Sequence, residues 1–295
     1  MELIKITDNI FCLQSLVFSI YVIKSQKNAL IELGISQTAP EIIYDLKNKL
    51  NIENIDCLIS THSHFDHIGG ATRLKKFFEN SLLYASPYTN EVFKNNDMVD
   101  IYRTTMEKIS RQELFYAVHP NSDKVVEFDK LEIDVEVKEG DELNLGELTL
   151  KFLELPGHSK CCIGVWYEKE NIVFITDSAG APLPSGKIWP TCYYDVNLYK
   201  NSINKIINLN PRIICLGHIG CMKGNEAIKF LQRSLKTTDE YLDLLKQLLK
   251  EKADNEEEVH KVLFAKYRDD LFSYIQPNIF KYGNREMLKQ IKLKI

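Results

Sequence analysis

The chain has 295 residues, enough for a sizeable core in one or two domains. Its 44% apolar and 26% charged residues are those of an ordinary globular protein, and a formal charge of -4 supplies no basic face for nucleic acid. Met1 to Lys5 lacks a signal-peptide pattern, no apolar run is long enough to span a bilayer, and seven scattered cysteines fit reduced thiols. The expectation is a cytoplasmic protein without nucleic-acid or membrane partners. Cys161-Cys162 is expected to be buried packing, with metal binding as the alternative.

Residues 2 to 33 read as a β-meander: Leu3 to Thr7, Ile10 to Leu13, Leu16 to Lys24 and Ala29 to Leu33, divided by polar turns. Pro40 stands where a helix would start, with Ile42, Ile43, Leu46 and Leu50 as its apolar face. Ile55 to Ser60 is a short apolar run of buried-strand type, Ala71 to Phe78 is helical, and Leu82 to Ala85 is a strand. From Asn90 to about Val118 the pattern is helical with a break near Asn95-Asn96. Tyr102, Met106, Phe115 and Tyr116 within it read as core, with an acyl pocket as the alternative.

Strands are expected at Leu131 to Val137, Glu147 to Leu155, Ile163 to Tyr167 and Ile172 to Thr176. Residues 178 to 196 read as loop. A helix at about 196 to 209 leads to a strand at Ile213 to Leu216, and beyond Gly224 the chain reads as helical to its end. The acidic run Asp254 to Glu258 reads as a solvated helix start.

The informative stretch is Ser60-Thr61-His62-Ser63-His64-Phe65-Asp66-His67-Ile68-Gly69-Gly70, directly after an apolar strand. Side chains two apart on extended backbone share a side, so His62 and His64 can grip one ion. Asp66 and His67 lie further round the turn and can hold a second. Gly69 and Gly70 are expected to let the chain turn sharply. Three more ligand-type residues follow apolar strands: His158 in Pro156-Gly157-His158, Asp177 and His218. One ion would take His62, His64 and His158, the other Asp66, His67 and His218, with Asp177 bridging. Catalytic sites keep an open position of this kind for water. Two such ions bring a shared water to a pKa of about 7, which argues for hydrolysis by metal-bound hydroxide with Asp66 and Asp177 as the catalytic carboxylates. Zinc is expected ahead of iron, since His and carboxylate ligands suit both. Tyr193 and Tyr194 can donate to a developing oxyanion or pack on the core.

His-x-His-x-Asp-His, then Pro-Gly-His, a strand-end Asp and a strand-end Gly-His, resembles the metallo-β-lactamase superfamily over residues 1 to about 224. The resemblance implies an α+β fold, an αββα sandwich, with a helical cap: a metal-binding domain at 1–224 and a cap at 225–295. His64 resembles the hydrolases of that family, whereas its diiron oxygen reductases carry Glu there. No basic inserted domain of the nuclease kind is present. The helical tail is similar to that of glyoxalase II. The stretches Ala29 to Ser36, Ile188-Trp189-Pro190, Tyr194-Asp195, Gly217 to Gly220 and Tyr282 to Leu288 resemble a coenzyme A thioesterase branch. That likeness implies Asn284 as a substrate-binding position beside Tyr193 and Tyr194. Ala181 and Asn284 depart from the branch, which has Glu and Ser there.

The expected activity is thioester or ester hydrolysis on a small acyl substrate. A lactonase, a phosphodiesterase and a regulatory binding protein with residual hydrolysis are the alternatives. The leucines from Leu231 to Leu249 can pack on the sandwich or pair two subunits as a homodimer, with a cap over the metals expected by likeness to glyoxalase II.

Overall fold

A computed structural model describes residues 1–267 and 277–292. Two compact units divide the chain. The first comprises Met1–Glu154, Cys161–Phe174 and Cys215–Cys221, and the second Leu155–Lys160, Ile175–Ile214 and the described residues from Met222 onward.

The first unit is built on a seven-stranded sheet in sequence order. Strands β1 (Glu2–Lys5), β2 (Ile10–Gln14), β3 (Ser19–Ile23) and β4 (Ala29–Ile31) form the expected antiparallel meander. The sheet then turns parallel through β5 (Cys57–Ile59), β6 (Leu82–Ala85) and β7 (Val135–Glu136). Parallel neighbours need crossovers, and helices supply them. Helix α1 (Ala39–Leu50) crosses from β4 to β5, opening with Pro40 and burying Ile42, Leu46 and Leu50. Helices α2 (Phe65–Ile68) and α3 (Ala71–Phe77) cross from β5 to β6. Helices α4 (Pro87–Phe93), α5 (Asn96–Ile109) and α6 (Glu113–Val118) precede β7, and Asn95 caps α5 at the expected break.

The strand expected at Leu131 to Val137 is shortened to two residues. The Asp134 carboxylate accepts the Leu83 amide at 2.6 Å, taking the place of a ladder carbonyl, so regular pairing starts only after it. Leu131 and Ile133 still join the core with Leu30, Ile42, Leu58, Leu83 and Phe128.

A second sheet has six strands, ordered β15, β14, β11, β10, β9, β8. They are β8 (Glu142–Asn144), β9 (Thr149–Glu154), β10 (Ile163–Tyr167), β11 (Ile172–Thr176), β14 (Ile213–Leu216) and β15 (Cys221–Lys223). Strand β8 was not expected; it is three residues long and only Leu143 of it is buried, too little alternation to read. Between β11 and the next helix lies a small hairpin, β12 (Ala181–Pro182) with β13 (Ile188–Trp189), in a stretch expected to be loop. Helix α7 (Val196–Asn208) is capped by the Asp195 carboxylate on the Leu198 amide at 2.8 Å. Among the described residues three helices follow: α8 (Asn225–Glu251), α9 (Glu256–Lys266) and α10 (Pro277–Lys292); the rest of the expected helical tail, 268–276 and 293–295, lies outside the described residues. Helix α8 buries Leu231, Tyr241, Leu242, Leu245, Leu248 and Leu249 and packs on α7, α9 and α10. Its leucine stripe is thus satisfied inside the second unit.

Candidate metal centre

The ligand-type residues of the first unit stand just beyond the ends of β5 and β14. His62 lies in the turn after β5, His64 is the residue preceding α2, and Asp66 and His67 belong to its single turn. The His62 Nε2 and His64 Nδ1 atoms are 3.1 Å apart. Two nitrogens on one zinc, each at about 2.0–2.1 Å in tetrahedral geometry, stand about 3.3–3.4 Å apart. Asp66 Oδ2 is 3.6 Å from His67 Nε2 and 3.8 Å from His218 Nε2, and one ligand atom from each of the three falls within 4.8 Å of the others. These spacings are too long for hydrogen bonds and suit atoms shared by a cation.

The outer partners explain why the ring nitrogens face this way. His67 Nδ1 lies 2.7 Å from Glu32 Oε2, while Glu32 Oε1 accepts from Thr61 Oγ1 at 2.5 Å. His218 Nδ1 lies 2.7 Å from the Val17 carbonyl oxygen. A carbonyl or carboxylate oxygen only accepts, so each of these Nδ1 atoms carries a proton. In the neutral ring that leaves Nε2 with its lone pair turned towards Asp66, the tautomer a metal requires.

The second unit repeats the arrangement. Pro156-Gly157 follows the end of β9, and Gly157 has φ +136 with the space of a Cβ taken by the Tyr199 backbone at 2.2 Å. No side chain fits there, and the tight crossing presents His158. Its Nδ1 lies 2.7 Å from the Thr191 carbonyl, and its Nε2 is 3.6 Å from Asp177 Oδ2. The Thr191 hydroxyl donates to the Asp177 carbonyl at 2.9 Å, so one threonine orients both residues. Glu32, Thr61, Thr191 and Val17 carry no motif signal. Only the Glu32 neighbourhood was legible, as part of the expected strand Ala29 to Leu33.

Backbone strain marks the same positions. Glu32 has φ 70 and Thr176, the residue before Asp177, has φ 44. Left-handed backbone at a β-branched residue costs on the order of 1–3 kcal/mol and gathers at functional sites. Gly69 and Gly70 differ from expectation. Gly70 has an ordinary φ of -79, and its need is space: an added Cβ would lie 2.2 Å from the Leu33 carbonyl.

Of the other expected residues, Tyr193 is half-buried in the second unit, its ring 4.9 Å from His158 and 5.9 Å from Trp189. Burial, then the Asp177 charge, pushes its hydroxyl well above the usual tyrosine range. Tyr194 is 45% exposed. Asn284, on α10, is fully buried and accepts from the Tyr241 hydroxyl at 2.6 Å. Tyr102, Met106 and Phe115 lie in the hydrophobic core of the first unit with Tyr116 packed against it. Cys161 is buried and does more than fill space: its sulfur accepts from the Ser63 amide at 3.3 Å, pinning the residue between His62 and His64. His119 pairs with Glu41 at 2.8 Å inside the first unit.

A layered α+β chain with strand-end histidines and carboxylates, the rings of His67, His158 and His218 turned by outer acceptors, has the makings of a metal-binding scaffold. The chain belongs to the metallo-beta-lactamase superfamily, whose model matches residues 14–218. A metallo-beta-lactamase fold-containing protein of Sulfurisphaera tokodaii is 25% identical over 205 residues, covering 68% of this chain and 72% of that one. The hydroxyacylglutathione hydrolase of Francisella tularensis is 29% identical over 133 residues, 45% of this chain and 36% of the relative. The alignment thus spans about a third of that hydrolase. A metallo-beta-lactamase family protein of Thermus thermophilus superposes with TM-score 0.66 at 14% identity, over 98% of this chain and 95% of the other. The fold is the α+β sandwich of the superfamily with C-terminal helices. Its members are generally hydrolases that bind divalent metals, and the His and Asp residues gathered here fit that use.

Proposed function

We propose that this chain is a dinuclear metal-dependent hydrolase cleaving a thioester or ester of a small acyl substrate. The observation that carries the reading is the fixed tautomer of His67 and His218, with Nε2 of each turned to one Asp66 oxygen at 3.6 and 3.8 Å. The ligand set we propose is His62, His64 and His158 for one ion, Asp66, His67 and His218 for the other, and Asp177 between them. Zinc is the proposed metal, with iron the alternative the same donors accept. Bound at such a site, two divalent ions would lower the pKa of a shared water to about 7 and polarise the carbonyl under attack.

The protein's own residues do the rest. Glu32 and the carbonyls of Thr191 and Val17 hold the Nδ1 side of His67, His158 and His218 and fix the ring orientations, so no reorganisation is needed when charge develops. Asp66 and Asp177 supply the negative charge that balances the ions. Tyr193, beside His158, is the proposed donor to the substrate oxygen, and Tyr194 and Asn284 are proposed substrate contacts. A thiolate leaves without strong acid help because a free thiol has a pKa of about 8.5.

Two likenesses support the thioester. One is to the hydroxyacylglutathione hydrolase, whose name denotes such a substrate. The other is the sequence resemblance to the pseudomonad quinolone signal response protein, a 2-aminobenzoylacetyl-coenzyme A thioesterase. Ala181 and Asn284 replace that protein's Glu and Ser, so a different acyl group is proposed. We further propose residues 1–224 as the ligand-bearing part, the helices from residue 225 as its cap, and a cytoplasmic homodimer without nucleic-acid or membrane partners.

The test is turnover of a panel of thioesters, esters, lactones and phosphodiesters by the metal-loaded protein and by Asp177→Ala. Thioester turnover that vanishes in the variant supports the reading. Preference for a phosphodiester or lactone would move the substrate class, and equal rates in both proteins would overturn the mechanism.

A further inference from the structure

We infer that Gln14, with Ser19, is a positioning device for the ligand His218, acting through the turn between β2 and β3. The inference rests on the metal-site reading above and deepens it. His218 sits on the short turn Leu216 to Gly220, partly exposed to solvent. Its ring is oriented by the carbonyl of Val17, which itself lies in an exposed turn, with Leu16 63% and Val17 37% accessible. Ser15 closes that turn on itself, its Oγ accepting from the Val17 amide at 3.1 Å and the Phe18 amide at 2.8 Å, but these bonds are internal to the turn and leave it free to shift relative to His218.

Gln14 removes that freedom. Its Nε2 donates to the Ser15 carbonyl at 2.6 Å and to the His218 carbonyl at 3.1 Å, with the Phe18 carbonyl at 3.4 Å. A single amide thus joins the turn that carries the anchor to the turn that carries the ligand. Its Oε1 accepts from Ser19 Oγ at 2.9 Å, and Ser19 Oγ in turn accepts from the Gly220 amide at 2.8 Å. The Ser19 amide donates to the Gly217 carbonyl at 3.1 Å, and the Tyr21 hydroxyl lies 2.6 Å from both the Leu216 and Gly220 carbonyls. The clamp therefore grips the ligand turn on both sides of His218. Gly220 is its counterpart: at φ +76, a Cβ there would lie 2.8 Å from Gln14 Oε1.

His67, held on Glu32, and His62, beside Thr61, owe nothing to this clamp. Loss of Gln14 should accordingly weaken only the ion that needs His218. Orienting partners of metal histidines are worth about 10–100-fold in metal affinity. The experiment is competitive titration of the full chain with zinc and, for spectroscopy, with cobalt, on wild type, Gln14→Met, Ser19→Ala and His218→Ala. Gln14→Met keeps the volume and removes the donors, Ser19→Ala is a milder cut, and thermal melts of the metal-free proteins report folding separately.

The expected result is two ions in wild type, with the second weakened about 10–100-fold in Gln14→Met and less in Ser19→Ala. The first ion is expected to stay unchanged and the cobalt spectrum to move towards that of His218→Ala. Equal loss of both ions, or none, in folded variants would overturn the clamp while leaving the metal site standing. A wild type that binds no ions would overturn the metal reading and the clamp with it.

Discussion

At the residue scale, the proposed centre depends on what stands behind His67, His158 and His218 as much as on the proposed ligands. Glu32 holds His67 at 2.7 Å, from strained backbone at φ 70. Glu32→Ala is expected to lower metal affinity about 10–100-fold while the fold persists, which competitive zinc titration reads directly. Asp177 and the two tyrosines separate on different grounds. Asp177→Ala removes the proposed bridge and should abolish both the second ion and turnover. Tyr193→Phe, which loses the proposed donation to the substrate oxygen, should cost at most about 2.7–4 kcal/mol in the barrier with metals retained. Tyr194→Phe, at a half-exposed side chain, should change little. Metal analysis beside turnover for the three variants orders them, and a Tyr193→Phe protein that loses metal would contradict this division of roles.

At the scale of elements, the sequence was most legible where one strand and one motif coincide. The parallel strand Cys57–Ile59 and the ligands after it follow from an apolar run and a His-x-His-x-Asp-His spacing, both local. The helical stripe from Leu231 to Leu249 was equally plain. What sequence concealed is nonlocal: Glu32 is 35 residues from His67, Thr191 is 33 from His158, and Gln14 is 204 from His218. The strand at Leu131 to Val137 was overread because Asp134, a side chain, occupies the ladder position. Helix α9 offers a prediction of its own. Its acidic first turn is capped by Asn255 and paired with α10, Lys281 on Glu257 at 2.7 Å and Lys292 on Glu256 at 2.8 Å. The hydrogen bond from each lysine holds both carboxyls below the usual glutamate range. Burial holds the His260 ring below its usual value, and among the described residues neither ring nitrogen has a hydrogen-bond partner.

The signs agree for these helices. A depressed histidine takes up its proton more readily in the unfolded chain, so stability falls as pH drops below the ordinary histidine value. The depressed glutamates add stability that is present above their ordinary range and lost as pH falls through their folded values. Acid should therefore loosen α9 and α10 in two stages, the histidine first. His260→Leu should remove the first stage and raise the melting temperature near pH 6, since a buried unpaired polar group costs about 1–3 kcal/mol. Circular dichroism melts across pH on both proteins check this, and an unchanged profile in the variant would contradict it.

At the scale of the whole molecule, the chain belongs to a superfamily of metallohydrolases, and the proposal adds two ions, seven ligands and an acyl substrate. Glycine at 157 bears on all of them, because the chain crosses Tyr199 there with no room for a side chain. Gly157→Ala, strained at φ +136 and overpacked, should cost about 1–3 kcal/mol or more and misplace His158, as denaturant unfolding with metal analysis would show. The central claim is tested most directly by anomalous diffraction from crystals of the zinc-loaded protein. The account predicts two peaks: one at about 2.0–2.2 Å from His62, His64 and His158, the other at that distance from Asp66, His67 and His218, with Asp177 reaching both. A single peak, or two peaks that leave His158 or His218 out of coordination, would contradict it.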